Sequence, residues 1–239
     1  MKILAIESSG LVASAAIATE DTLLAEYTVN FKKTHSQTLL PMVEEIVKMT
    51  GMELAELDAI AVSAGPGSFT GLRIGSATAK GLGLALHKPV VPVPTTQGIA
   101  ANLYGTRGLI CPLMDARRNQ VYTGLYRYDK NGFEIMEDQM AVLVDEIIEK
   151  INAIGEPVTY LGDGVEAFSE ILQEKTTVPF SFAPLHLSKQ RAGALAVRAV
   201  ELYKAGRIQT AAEHEPDYLR LSQAERELAE KQQAEKQGL

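Results

Sequence analysis

The sequence predicts an α/β protein of two tandem β/α units, the second reduced relative to the first. Three observations carry that expectation. The first thirty residues read as three strands joined by short turns. Strand-like and helix-like stretches then alternate through residues 36–105. Near Leu109 the hairpin-first order starts again in shorter form. Strands alternating with helices imply a mixed sheet with helices on its faces.

In the first unit the strands are residues 2–8, 13–19 and 22–30, with turns at Gly10 and at the polar pair Glu20 and Asp21. THSQTLLPMVEEIVKMTG follows. Its Leu39, Met42, Val43, Ile46 and Val47 recur at helical spacing, and Gly51 stops the run, so 36–49 is a helix. LDAIAVSAG is a buried strand. It feeds GPGSFTGLRIG, which opens a helix over 70–86. PVVPVP is a further strand and TTQGIAANLYG a further helix.

In the second unit LICPLMDA and QVYTGLYRYD form a hairpin, and the turn at 129–132 leads into GFEIMED. VDEIIEKINAIG is a helix, VTYLG a strand and VEAFSEILQEK a helix. LSKQRAGALAVRAVELYKAG is a long amphipathic helix, and EPDYLR an extended strap. The charge-dense tail SQAERELAEKQQAEKQGL reads as a solvated helix or disorder. Two hairpin-led halves in tandem suggest the actin-like ATPase (ASKHA, ribonuclease H-like) fold shared by sugar kinases and Hsp70 chaperones. The expected division is an N-terminal unit of 1–106 with the returning helix and strap 188–221, a smaller unit of 107–187, and a tail of 222–239.

Composition narrows the function classes. The chain has 239 residues, 46% hydrophobic and 22% charged, as a soluble globular protein does. With 23 basic and 30 acidic residues the net charge is −7. That is a poor basis for stand-alone nucleic-acid binding, which depends on phosphate neutralisation by Lys and Arg. The single cysteine, Cys111 in LICPLM, has no histidine near it in sequence and reads as a buried inert thiol. MKILAIESSG is too short and acidic for a signal peptide, and no apolar run reaches the ~18 residues that cross a bilayer. A cytoplasmic location, off the membrane, is expected.

GPGSFTGLRIG resembles a phosphate loop but fails both named patterns. The P-loop lysine is missing, and Thr70 stands where a dinucleotide fingerprint needs its third glycine. A helix N-terminus still offers N–H groups to an anion. The competing reading is a tight turn capped by Ser68 or Thr70. The helix behind it has two apolar faces, one of Leu72, Gly75, Ser76, Ala79 and Gly83, the other of Ile74, Ala77, Gly81 and Leu84. Glycine costs about 1 kcal/mol in a helix interior, so Gly75, Gly81 and Gly83 need a reason. Close approach of another backbone supplies one. One face covers the sheet and the other needs a partner, either the 36–49 helix or a second protein. On this reading Gly75→Leu or Ala79→Glu blocks pairing while the fold survives.

Four histidines, at 35, 87, 186 and 214, include no i, i+4 pair, since Leu39 stands four on from His35. No metal site is expected, and His35 reads as a cap or surface residue. Glu7, Ser8 and Ser9 end the first strand, where actin-like ATPases keep acidic and small polar residues near metal-bound phosphate; a structural role in the hairpin is equally open. With Gly65, Gly67 and Ser68 they form a candidate vestigial nucleotide site. In MDARRNQVY, Asp115, Arg117 and Arg118 either pin a turn by an ion pair or meet a partner or tRNA. GDGV, at 162–165, is a strand-to-helix turn or a remnant phosphate loop.

MKILAIESS, HSQTLLPMV, SAGPGSFTGLRIG, MDARRNQVY and EPDYLR, in this order and spacing, resemble the bacterial TsaB family, also called YeaZ, over residues 1–221. The resemblance implies a reduced actin-like fold and a non-catalytic subunit of the machinery that makes N6-threonylcarbamoyladenosine at position 37 of tRNAs reading ANN codons. It implies a TsaD-type catalytic partner carrying the metal and the ATP-type pocket, a TsaE-type ATPase, and tRNA reached through the complex. It gives this chain no cofactor of its own. It places pairing with TsaD, or with a second copy when TsaD is absent, on the two helices at 36–49 and 70–86. The interface residues expected there are His35, Leu39, Met42, Val43, Ile46, Leu72, Gly75, Ser76, Ala79 and Gly83. Two other classes compete: an actin-like ATPase or small-molecule kinase, which needs a second carboxylate such as Asp115 and a working adenosine site, and a peptidase, for which no Ser-His-Asp, Cys-His or metal constellation is visible.

Overall fold

The computed structural model describes residues 1–31 and 34–219; the charged tail at 222–239 lies outside them. The first sheet starts from β1 (Lys2–Glu7), β2 (Ala13–Thr19) and β3 (Leu23–Val29), a meander of antiparallel neighbours. Helix α1 (His35–Thr50) ends at Gly51, whose φ of 64° is the left-handed cap that glycine adopts freely. β4 (Ala59–Gly65) then pairs parallel with β1, and after α2 (Phe69–Leu86), β5 (Val90–Pro94) pairs parallel with β4. The order is β3-β2-β1-β4-β5. β1, β2 and β4 are buried on both faces, which explains why they lack the apolar–polar alternation of a half-exposed strand.

A short helix, α3 (Thr95–Ala100), leads into the second sheet. β6 (Leu109–Asp115), β7 (Gln120–Asp129) and β8 (Gly132–Leu143) form its meander; α4 (Val144–Ile154), β9 (Val158–Leu161), α5 (Gly164–Lys175) and β10 (Phe180–Phe182) complete it. The order β10-β9-β6-β7-β8 repeats the first sheet's topology: a central strand with a hairpin on one side and parallel strands on the other. This is the actin-like fold. The three-residue β10, absent from the sequence-based expectation, completes the match. The second unit is thus complete in strands and reduced mainly in its helices. The last helix, α6 (Ala192–Lys204), starts later than LSKQRAG suggested, because Leu185–Leu187 forms a separate 3-10 turn and 188–191 are extended or bent.

Packing separates the two faces of the first sheet. α1 and α2 cover one face, burying Leu4, Ile6, Ile17, Ile60 and Val62. α6 lies on the other, its Ala192, Ala196 and Ala199 against Ala5, Ala16 and Ala61. Small residues on both partners bring that helix close to the sheet. α4 and α5 cover the second sheet. Between the halves, Ile99 and Leu103 meet Ile110, Met114 and Tyr126, and the Tyr126 hydroxyl bonds Thr96 Oγ1 at 2.7 Å. No helix among the described residues is long and apolar enough to cross a membrane.

Candidate functional site

Five of the six residues of the candidate nucleotide corner, Glu7, Ser8, Ser9, Gly67 and Ser68, pack together where β1 and β4 end, while Gly65 abuts Asp217, whose O lies 2.1 Å from where its Cβ would be. Ser68 N–H donates to Ser9 O at 2.7 Å, and Ser8 Oγ donates to Gly71 O at 2.9 Å. Ser68 caps α2, its Oγ accepting from Gly71 N–H at 3.3 Å, so the turn reading of GPGSFTG holds. A Cβ on Gly67 would lie 2.3 Å from Ser9 O, and one on Gly71 2.1 Å from Ser8 O. Those glycines let the first turn of α2 sit directly on the backbone of Ser8 and Ser9 in the β1–β2 loop. Glu7 is inside: its Oε1 accepts from Ser9 N–H at 2.6 Å. Burial pushes its carboxyl above the ordinary range, and the bonds from Ser9 only partly offset that.

The helix pair corrects the expected interface. All but His35 of the ten expected residues are buried in this chain's own core. Gly75 has Ser8 Oγ 2.3 Å from where its Cβ would be, and Gly83 has Ala211 Cβ at 2.8 Å. Their close approach is therefore to Ser8, just past β1, and to the segment 208–218 of the same chain, the strap with the residues that lead into it. Gly75→Leu or Ala79→Glu would break the fold before it tested any partner. His35, at the first residue of α1, ties that helix to the hairpin loop through a 2.8 Å bond between Nε2 and Gly10 O.

The other face of α2 is the open one. Ala77, Gly81, Leu84 and Ala85 are exposed, and a Cβ on Gly81 would meet nothing within 4 Å. Beside it, Leu40, Pro41, Val47, Leu54 and Leu82 line an apolar groove of about 700 Å³ between α1 and α2. Periodicity had shown both faces of α2; what it lacked was which one the sheet and strap would take.

The strap is the contact network that sequence reading missed. Lys80 Nζ donates to Ala212 O and His214 O, Asp217 N–H to Ala64 O at 2.6 Å, and Gln139 Nε2 of β8 to Asp217 Oδ2 at 2.9 Å. Tyr218 packs on Phe69 at 4.9 Å, and Arg73 lies over the same ring while donating to the Tyr218 hydroxyl. EPDYLR announced an extended strap, but residues 78 to 145 apart in sequence left no signal of side-chain pairing.

In the second half, Arg117 is bound to Asp115 by backbone N–H at 2.7 Å and by an ion pair at 3.3 Å, so the turn is pinned as one reading of MDARRNQVY had it. Arg117, Arg118 and Asn119 all have left-handed backbones, with φ of 66°, 56° and 59°. GDGV packs against β6: a Cβ on Gly162 would lie 2.1 Å from Leu113 O. Burial raises the Asp163 carboxyl above its usual value. Cys111 is buried beside Thr123, and burial pushes its thiol up to about 12.

The two repeated sheets define a chain of the actin-like fold class. Residues 22–228 match the family model described as TsaD, tRNA N6-adenosine threonylcarbamoyltransferase. The chain is 36% identical over 237 residues to the Bacillus subtilis tRNA threonylcarbamoyladenosine biosynthesis protein TsaB, covering 97% of this chain and all of that one. It is 35% identical over 182 residues to the Escherichia coli TsaB, covering 74% and 78% of the two chains. YeaZ from Pseudomonas aeruginosa superposes with a TM-score of 0.75 at 26% identity, over 91% of this chain and 99% of that one. A second Pseudomonas aeruginosa structure, described as similar to the peptidase YEAZ, gives 0.79 at 26% identity over 92% and 99%. The chain belongs to the TsaB (YeaZ) family.

Proposed function

We propose that this chain acts in tRNA threonylcarbamoyladenosine biosynthesis as a non-catalytic scaffold and activating subunit. It pairs with a TsaD-type catalytic subunit through the outward faces of α1 and α2. Without that partner the same faces pair two copies of this chain. A TsaE-type ATPase joins the assembly, tRNA is reached through the complex, and ATP or ADP and any metal sit on the partner subunits. The names of its TsaB relatives support the pathway. The observation that carries the scaffold role is Gly81: it stands exposed inside a helix, at a cost of about 1 kcal/mol relative to alanine, with no neighbour among the described residues to require it.

Against the ATPase or kinase alternative stand the filled corner at Ser8 and Ser9 and a Glu7 whose burial favours its neutral form. A peptidase has no nucleophile–base pair to build on among the described contacts: His35 bonds Gly10 O, and His214 bonds Gln209.

The test is size-exclusion chromatography with light scattering, on the chain alone and with an equimolar TsaD-type partner. The expected result is a homodimer that exchanges into a one-to-one heterodimer. A monomer in both runs overturns the proposal, and tight ATP binding with turnover by the isolated chain would favour the enzyme reading.

A further inference from the structure

The four sheet edges are treated differently. β5 is covered by the strap, Val90 and Gln209 exchanging both backbone hydrogen bonds at 2.9 Å. β10 is only three residues long. β8 is broken by register shifts and carries Glu134, Glu137 and Asp138. These are the usual ways an open edge is blunted. β3 is the least protected: its pairing with β2 shifts register once, at Ile17/Ala18, but its seven residues, LLAEYTV, hold no Lys, Arg, Pro or Gly, and among the described residues no strand pairs on its outer side. Its one charge, Glu26, is turned inward to Arg191 and to Gly193 N–H. Leu23, Leu24 and Tyr27 are exposed along it.

Each face of that edge has a groove beside it. On the α1 side Tyr27, Val29, Pro41, Met42 and Met49 line a space of about 760 Å³ with Glu45 among its lining residues. On the other side Asn30, His186, Lys189 and Gln190 line a space of about 660 Å³. There the ion pair of Glu26 and Arg191 is closed on itself. Lys189 acts electrostatically on the buried Asp163 carboxyl, but its ammonium makes no hydrogen bond among the described residues, which leaves its N–H groups for an incoming carboxylate.

We infer that β3 is a docking edge for an extended segment of a partner protein that alternates apolar and acidic residues. The segment adds as a sixth strand. Its backbone pairs with the free groups of β3, its apolar side chains enter the α1 groove, and its carboxylates face Lys189. An acidic side chain on the wrong face would meet Glu45, which fixes the register.

The probe is a fluorescent nine-residue peptide alternating leucine and glutamate, added to the whole chain and followed by anisotropy and by backbone amide exchange. Controls are the same residues in scrambled order and a peptide with lysine for glutamate. Binding of the alternating peptide with slowed exchange of β3 amides is expected. Tyr27→Lys, on the exposed edge, should weaken it about tenfold or more, and Met49→Glu should do the same from the groove. Lys189→Glu should shift preference to the lysine peptide. No binding, equal binding of the scrambled peptide, or unchanged β3 exchange overturns the inference. So does self-association through this edge that Tyr27→Lys abolishes, since the occupant would then be a second copy of this chain.

Discussion

Two sides of α2 use the same residue for opposite reasons. On the inner side, Gly71 and Gly75 are pressed against Ser8, and any side chain would overlap atoms of that residue. On the outer side, Gly81 faces open space. A glycine whose absence of a side chain is needed by its own fold says nothing about partners. A glycine that the fold does not need, and that weakens the helix, is where a partner's requirement would be recorded. The comparison separates what holds the chain together from what the chain offers.

The strongest way to break it is Gly75→Leu. The added side chain must displace Ser8 and Val62 from a closed core. A loss of roughly 3 kcal/mol or more is expected, read as a fall in the urea midpoint or as insoluble protein. Retention of wild-type stability would mean that the inner side is as free as the outer one. Gly83→Val asks the same of the strap side. Its neighbours, Ala211 Cβ and Lys88 O, belong to loops that can yield, so about 1–3 kcal/mol is expected, together with faster amide exchange at Val90 and Gln209.

The strap also carries a pH signature. His214 is buried, Nδ1 bonded to Gln209 Oε1 at 2.9 Å, and burial together with nearby Lys80 holds its pKa below the ordinary 6.5. The unfolded chain therefore takes up that proton first. Stability is full above about pH 6.5 and falls as the pH is lowered from there towards the folded-state value. Melting temperature against pH should show that slope in the wild type and lose it in His214→Gln. An unchanged slope in the variant would assign the dependence to other groups; Glu215 acts on His214 in the opposite direction, raising its pKa.

What sequence alone could reveal follows the same division. Strands and helices were legible because apolar periodicity reports burial directly, as in Leu39, Met42, Val43 and Ile46 of α1. β8 ran five residues past GFEIMED because its later residues are half-buried without clean alternation. β10 was invisible because three residues carry no period. Sequence grouped six residues as a candidate vestigial nucleotide site, but whether a glycine-rich turn cradles an anion or a backbone depends on Ser8 and Ser9, far away in sequence. Both faces of α2 were legible too. The choice of which one faces out rests on the strap, whose contacts at Ala211, His214 and Asp217 have no local pattern.

The gentler variants sharpen the comparison at Gly81. Gly81→Leu should leave the fold intact, since no atom of the described residues lies within 4 Å of the new Cβ, while weakening pairing of α1 and α2 faces about tenfold or more, equivalent to about 1.4 kcal/mol. Gly81→Ala is the smallest change and separates the two contributions. In the isolated chain the helix gains about 1 kcal/mol from the lost backbone freedom of glycine, so thermal stability measured on dilute monomer should rise. At a helix crossing tight enough to require glycine, one methyl group already costs affinity. The same substitution should then stabilise the monomer and weaken the pair, which equilibrium ultracentrifugation and thermal melts read independently. If Gly81→Ala strengthens or leaves unchanged both quantities, the outer glycine records no partner and the pairing face must be sought away from α2.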